Sequence, residues 1–272
     1  MMHSPFIPPA TPDPFVIDGP AVISFSGGRT SGYMLHRILL AHGGGLPADV
    51  HVLFANTGKE REETLEFVSA CATHWHIPIH WLEYLAGEVT APTAARLGEP
   101  FAALLTKRKF LPNPVMRFCT QELKLRPMRD WMRLKGYEHW TNVVGIRADE
   151  PRRVAKMRAA AETRTERWEI DLPLADAGIT LGEVTAFWQQ HPFDLQLQPH
   201  EGNCDLCFLK GAKKLRNIVR ERPDLAVWWA ESEERLGATF RRDRPSYRQM
   251  LQQPDLFKDG LDDDIIECAC TD

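Results

Sequence analysis

Two rhythms of apolar residues alternate along the chain. AVISF (21–25), DVHVLFANTG (49–58) and IPIHWLEYL (77–85) are short apolar runs that read as buried strands. Between them, SGYMLHRILLAHG (31–43) and REETLEFVSACATHWH (61–76) carry apolar residues at helical spacing. The first ends in glycines, a helix stop. The second places acidic residues in its first turn, where the helix dipole favours negative charge. The pattern weakens over 86–118, where VMRFC reads as a short connector. ELKLRPMRDWMRLKG (122–136) is again helical, with Pro127 marking a kink or a boundary. TNVVGIRADEPRR (141–153) repeats strand-then-loop. ITLGEVTAFWQQHPF (179–193) predicts a helix capped by Thr180, with Glu183 three residues on. Residues 209–237 predict one or two more helices.

Strands alternating with helices imply an α/β fold: a mostly parallel sheet with helices on both faces and right-handed crossovers. Ligands of such sheets collect at the carboxyl ends of the strands. SFSGGRTS and FANTG both lie at such ends, so the two loops are expected to face one ligand.

Composition narrows the class. The 272 residues are 43% hydrophobic, enough for a sizeable core, and the formal net charge of −4 advertises no global affinity for nucleic acid. No apolar run reaches the roughly 18 to 20 residues of a membrane helix. MMHSPFIPPATPDPF has neither a charged nor an apolar signal region, so the expected location is cytoplasmic. The expected organisation is a Pro-rich lead-in (1–19), a nucleotide-binding domain (20–210) and a helical C-terminal extension (211–272).

The chemistry begins at Ser26-Gly27-Gly28-Arg29-Thr30-Ser31. Glycines after a strand allow a sharp turn and close approach of the backbone to a ligand. The following helix presents unpaired N–H groups and a positive dipole end. Ser26, Thr30 and Ser31 add hydroxyls, so the loop suits a phosphate group. Among the cysteines, Cys71 sits in an apolar helical stretch and reads as a small buried hydrophobe. Cys204-Asp-Leu-Cys207 and Cys268-Ala-Cys270 are spaced for metal or redox work. A C-x-x-C pair with a distant cysteine suits either zinc or a 4Fe–4S cluster. RPDLAVWWAESEERLGATFRRDRPSY is rich in Trp and Arg; it suits nucleic-acid stacking, or, more commonly, a core helix with Trp228 and Trp229 inside.

SGGRTS resembles the SGGxxS loop of the PP-loop ATP pyrophosphatases and their relatives, the PAPS/APS reductases. FANTGKEREETLEFV is similar to the D-T-G…ET…FV segment of the sulfonucleotide reductases, with Asn56 in place of the usual Asp. GIRADEPRR and LPLADAG…EVTAFWQQHPF resemble two further segments of that family, in the same order. CTQELKLRP resembles the C-C-x-x-x-K-x-x-P stretch of cluster-bearing APS reductases, with Thr120 replacing the second cysteine. The resemblance implies a Rossmann-like adenine-nucleotide fold. It implies that Ser26, Gly27, Gly28 and Ser31, with Thr30, hold phosphate or sulfate. Asn56, Thr57 and Gly58 would lie near the adenosine, and Arg147 and Arg153 would contact anionic groups. It tips the cysteine chemistry towards a 4Fe–4S cluster held by Cys119, Cys204 and Cys207. The fourth position stays open between Cys268, Cys270 and an exchangeable sulfur ligand. Lys124 aligns with the family lysine.

The resemblance implies two reactions. In the first, a sulfonucleotide reductase binds PAPS or APS. The tail thiol Cys268, within Glu267-Cys268, attacks its sulfur, and a thioredoxin-like thiol donor completes the cycle. The family's Glu-Cys is kept in this tail, whereas its Gly and His are not, and the neighbouring acids raise a thiol pKa rather than lower it. In the second, a PP-loop enzyme uses ATP, with Mg2+, to adenylate a nucleic-acid or small-molecule acceptor for cluster-dependent thiolation. A nucleotide-sensing module without turnover is the non-catalytic reading.

Overall fold

The computed structural model describes residues 12–163, 168–198 and 201–253. Cys268, Cys270 and most of the Pro-rich lead-in therefore lie outside the described residues. Strands β1 (Ala21–Ser24), β2 (Val50–Asn56), β3 (Ile79–Glu83), β4 (Gly87–Val89), β5 (Trp140–Val144) and β6 (Trp168–Asp171) form one sheet, in spatial order 4-3-2-1-5-6. Neighbours run parallel, except for the short antiparallel edge strand β4. The order turns at β1, which pairs with β2 on one side and β5 on the other. That is the switch point where the crossovers diverge and a crevice opens at the strand ends.

The helices are α1 (Arg29–Ala41), α2 (Glu62–His74), α3 (Glu99–Arg108), α4 (Arg126–Leu134), α5 (Pro151–Thr163), α6 (Pro173–Asp176), α7 (Leu181–Gln190), α8 (Ala212–Glu221), α9 (Asp224–Leu236) and α10 (Tyr247–Gln252). They cover both faces of the sheet. Ile23 and Phe54 point to one face and pack with Met34 and Leu35 of α1, Phe67 and Val68 of α2 and Trp188 of α7. Val22 and Leu53, their chain neighbours, point to the other face and pack with Trp131 and Met132 of α4. Burial on both faces explains why β1 and β2 read as continuous apolar runs. Thr180 caps α7 reciprocally with Glu183, as its sequence predicts.

The weakly patterned stretch 86–118 contains β4 and α3. The three residues of β4 are all at least partly exposed, so no apolar run marks them. Residues 120–125 form a π-helical turn that runs straight into α4, with Pro127 in the first turn of α4. A proline lacks the N–H that an α-helix interior requires, and the first turn needs none. The boundary expected at Pro127 is therefore a change of helix type.

The 209–237 segment forms two helices, α8 and α9, broken at Pro223. With α3, α10 and residues 206–209 they pack around their own apolar cluster, centred on Phe208, Leu215, Trp229, Phe240 and Tyr247. Trp229 is one of its largest buried side chains, which is the core-helix role for this tryptophan.

Candidate functional site

β1 ends in a loop whose backbone is set by Gly27. Its φ of +80° lies in the left-handed region, and a Cβ there would come within 2.7 Å of Thr64 Cγ2. Gly28 is the N-cap of α1. Ser31, buried in the first turn, donates through Oγ to the Gly28 carbonyl at 2.9 Å and lies 2.9 Å from Ser26 Oγ. The loop thus folds into a compact turn with the helix N-terminus at its centre, a geometry suited to an anion. Arg29 faces away. Its guanidinium forks onto Asp194 at 2.7 and 2.9 Å and supports the 194–197 segment.

A cleft of about 630 Å³ opens beside this loop on the β1–β5–β6 side of the sheet. Ser26 and Ser31 line one end, and Arg152, Arg153 and Lys156 of α5 line a basic wall with Arg117 and Lys124. Met128, Val144 and Ile170 supply apolar surface. Arg153 also pairs with Glu150. Arg147 is placed differently from Arg153. It donates to Thr30 Oγ1 at 2.9 Å and pairs with Asp149 at 2.9 Å, bracing the start of α1 rather than lining the cleft. Thr30 is buried beneath it.

The second loop serves another wall. Asn56 is fully buried; its amide donates to Glu83 Oε1 at 2.6 Å and to the Ala95 carbonyl at 2.8 Å, while its carbonyl accepts from Gly58 N. This explains an amide at that position, because an Asp would set two buried carboxylates side by side. Thr57 donates from its backbone N–H and its hydroxyl to Glu60, at 2.8 to 3.0 Å. Gly58 has φ +76°, and a Cβ there would lie 2.9 Å from Pro100 Cδ. Thr57 borders a different cavity from the one beside Ser26.

That cavity, of about 30 Å³, gathers Cys119, Cys204 and Cys207 from distant parts of the chain. Cys119 precedes the π-turn as its N-cap. The C-x-x-C segment is clipped to the β2–α2 loop by one antiparallel β-bridge, Glu60 opposite Cys204, made by two hydrogen bonds. Arg61 N donates to the Asn203 carbonyl at 2.8 Å and Asp205 N donates to the Lys59 carbonyl at 2.8 Å. Beneath it, Lys59 Nζ pairs with Asp205 Oδ2 at 2.7 Å, with both side chains buried, and Trp229 Nε1 donates to Asp205 Oδ1 at 2.8 Å. Lys210 Nζ donates to the Cys204 carbonyl and the Tyr247 hydroxyl to the Leu206 carbonyl. Burial, with Cys207 nearby, pushes the Tyr247 phenol far above its ordinary value, so it stays a donor. Glu60 lies 3.7 Å from Cys204 Sγ and 3.7 Å from Lys124 Nζ.

Thr120 and Lys124, on the π-turn, line both the cleft and the cysteine cavity. Glu122 on the same turn accepts from Arg126 at 2.9 Å and from Arg108. Burial raises the Glu122 pKa, but these two arginines outweigh it and hold the carboxyl below its ordinary range. Glu122 thereby ties the turn to α3 through Arg108 and to α4 through Arg126, and π-turns occur frequently at functional sites.

Among the described residues, no group of three or more His, Cys, Asp or Glu side chains is placed to hold a single metal ion. Three thiols around one apolar-walled cavity, with Lys59 and Lys124 beside them, are nonetheless a donor set that suits an iron–sulfur cluster. Cys71 belongs to neither cavity. It is fully buried in the core, and burial pushes its thiol far above the ordinary range.

The motif spacing did not single out Lys59, Glu60, Asn203 or Asp205. A signal exists in hindsight: charged and amide residues directly flank the loop glycine and the first cysteine of C-x-x-C.

The fold and these two loops define a Rossmann-like α/β protein with a glycine turn leading into a helix N-terminus at its switch point. A family model described as the phosphoadenosine phosphosulfate reductase domain matches residues 20–192, and the chain belongs to that family. An uncharacterized nin region protein of Escherichia phage lambda is 32% identical over 217 residues, covering 75% of this chain and 71% of the relative. An uncharacterized protein of Methanocaldococcus jannaschii is 30% identical over 216 residues, covering 78% of this chain and 41% of that protein. Among solved structures, the PAPS reductase of Candida auris in complex with phosphate has a TM-score of 0.42 at 15% identity, covering 64% of this chain and 73% of that one. The U34-tRNA thiolase NcsA of Methanococcus maripaludis, with its 4Fe–4S cluster, has a TM-score of 0.40 at 11% identity, covering 86% and 72%. Among the described residues, no helix is long and apolar enough to cross a membrane.

Proposed function

We propose that the chain is a sulfonucleotide reductase-like enzyme that binds PAPS or APS in the cleft beside Ser26–Ser31. The observation that carries this reading is the shared wall: Thr120 and Lys124 border both the anion cleft and the cavity of three cysteines. The loop holds the anionic end of the nucleotide through the helix N-terminus, Ser26 and Ser31. Arg152, Arg153 and Lys156 supply positive charge along the cleft. Lys124 stands between the nucleotide and the thiols, where a cation stabilises negative charge on the departing phosphate.

The nucleophile in this reading is Cys268, outside the described residues. Its thiolate attacks the sulfur of the sulfonucleotide; an S–S bond forms, the S–O bond breaks and the nucleotide phosphate leaves. An external dithiol of the thioredoxin class then attacks Cys268 Sγ. Sulfite departs, and the dithiol is oxidised to its disulfide, supplying the two electrons. Cys119, Cys204 and Cys207 would hold a 4Fe–4S cluster, with Cys270 as a proposed fourth ligand. Bound there, the cluster would place its charge and its thiolate shell close to the cleft.

A second reading is supported by the same cavity: Cys119, Cys204 and Cys207 line it, and a 4Fe–4S cluster held by these three alone would present one iron to an exchangeable sulfur. In that reading the cleft takes ATP with Mg2+, and an adenylated nucleic-acid or small-molecule acceptor is thiolated. Anaerobically purified protein incubated in parallel with ATP, APS and PAPS separates the two. Sulfite from APS or PAPS in the presence of a dithiol supports the reductase. Pyrophosphate from ATP supports the thiolation enzyme, and neither product overturns both.

A further inference from the structure

One polar pair on the cleft floor takes no part in holding the anion. Ser24, at the end of β1, donates from Oγ to Asn142 Oδ1 of β5 at 2.6 Å. Both residues line the cleft. Asn142 is only 7% exposed, yet its amide nitrogen makes no hydrogen bond to the described residues. That nitrogen is not sealed from solvent: it faces the open cleft, where a ligand acceptor can take its hydrogen bonds. Ser24 spends its proton on Asn142, and its oxygen lone pairs remain able to accept. The pair therefore presents one donor and one acceptor side by side.

The surroundings are apolar. Met128 lies with its sulfur 3.8 Å from Ser24 Oγ, and Leu125, Val144 and Ile170 line the same stretch of cleft. A flat heteroaromatic ring fits such walls, and its polar edge would meet the pair. A sugar, with hydroxyls on several sides, would leave them unsatisfied there.

We propose that Ser24 and Asn142 determine base specificity. Asn142 Nδ2 donates to a ring nitrogen of a 6-aminopurine, and Ser24 Oγ accepts from its exocyclic amino group. An acceptor ring nitrogen beside an amino donor is the pattern of adenine. This assignment rests on the adenine-nucleotide reading above and adds which residues read the base.

The test uses the full chain and AMP, the fragment common to ATP and APS. Binding is measured by calorimetry against purine riboside 5′-monophosphate, which lacks the amino group, and against IMP, which places an oxygen there. Wild type is expected to favour AMP over both by about tenfold or more, the discrimination of one good bidentate pair. Asn142→Asp, which exchanges the donor for an acceptor, should weaken AMP by a similar factor while inorganic pyrophosphate binds as in wild type. Ser24→Ala should bring the AMP to purine riboside monophosphate ratio towards one, a readout that a purely structural role does not move. Equal binding of the three nucleotides by wild type, or unchanged AMP affinity and ratios in both folded variants, overturns the base assignment alone. Failure of wild type to bind AMP, ATP and APS alike overturns the adenine-nucleotide reading and this assignment with it.

Discussion

The Asn203 side chain donates through Nδ2 to the Ser26 carbonyl at 2.9 Å, joining the residue before C-x-x-C to the first residue of the anion loop across 177 positions of sequence. Asn203 is fully buried, and its backbone carbonyl accepts from Arg61 N. One residue thus ties together the β1–α1 loop, the β2–α2 loop and the cysteine segment.

Replacing Asn203 with Ala is expected to cost about 1–3 kcal/mol, the penalty for leaving a buried backbone acceptor unsatisfied. Because the Ser26 carbonyl belongs to the anion loop, phosphate affinity should fall in the same variant. Urea titration and phosphate calorimetry on Asn203→Ala measure the two effects, and wild-type values for both would show that the contact couples nothing.

Asn56→Asp places a carboxylate against Glu83 Oε1, now 2.6 Å from the Asn56 amide nitrogen. Two like charges in a buried site cannot both ionise, so one of the pair retains a proton. A carboxyl whose folded pKa lies above its unfolded value weakens the fold once pH rises beyond the unfolded value. The deficit relative to wild type is therefore expected to grow between pH about 5 and 8. A deficit that shrinks over that range would exclude the mechanism.

Lys59→Met leaves Asp205 buried without its cation. Removing one partner of a buried ion pair costs about 3–5 kcal/mol. Asp205 also accepts from Trp229 and flanks Cys204, so the loss should unfold the C-terminal core and the cysteine segment together. Thermal melting followed by tryptophan fluorescence reads this directly. A Lys59→Met, Asp205→Leu double variant should recover most of the loss if the uncompensated charge is its cause.

Iron and acid-labile sulfide in anaerobically prepared protein are expected to drop to background in Cys119→Ala, Cys204→Ala and Cys207→Ala. Cys71→Ala should keep them, because its thiol is buried in the sheet core away from the cavity. Stoichiometric zinc with no iron in wild type would replace the cluster by a different metal chemistry.

His36 and His191 pack edge to face with ring centroids 5.6 Å apart, among Trp75 and Phe187. Burial lowers both pKa values, and each imidazole feels the charge of a neighbouring histidine, His191 beside His36 and His74 beside His191. The unfolded chain therefore takes up protons first as pH falls through the ordinary histidine value of about 6.5, and stability declines below it. Denaturation midpoints at pH about 7.5 and 5.5 should show this decline, reduced in His36→Phe. An unchanged pH dependence in His36→Phe would remove this pair as the source.

The strand and helix rhythm, the glycine turn at Ser26–Ser31 and the C-x-x-C spacing were legible because each is a local signal. Apolar periodicity, a left-handed glycine and a two-residue thiol spacing are all properties of neighbours in the chain. β4 and α3 left weaker marks: one is a three-residue exposed edge, and the other lies in a stretch without strong periodicity. Arg147 and Arg153 share one motif, yet their side chains part, one bracing Thr30 and the other lining the cleft. Thr57 likewise follows a strand-end loop but borders the thiols, because Glu60 captures its hydroxyl.

The chain alone therefore determined the α/β class, the family and which residues form the glycine loop and the C-x-x-C pair. Only the tertiary structure decided that Thr120 and Lys124 border both the cleft and the cysteine cavity, that Asn203 reaches Ser26, and that Ser24 meets Asn142. The last two join residues 177 and 118 positions apart. They depend on how the sheet orders β5 beside β1 and on where the C-terminal core sets the C-x-x-C segment, which no local periodicity encodes.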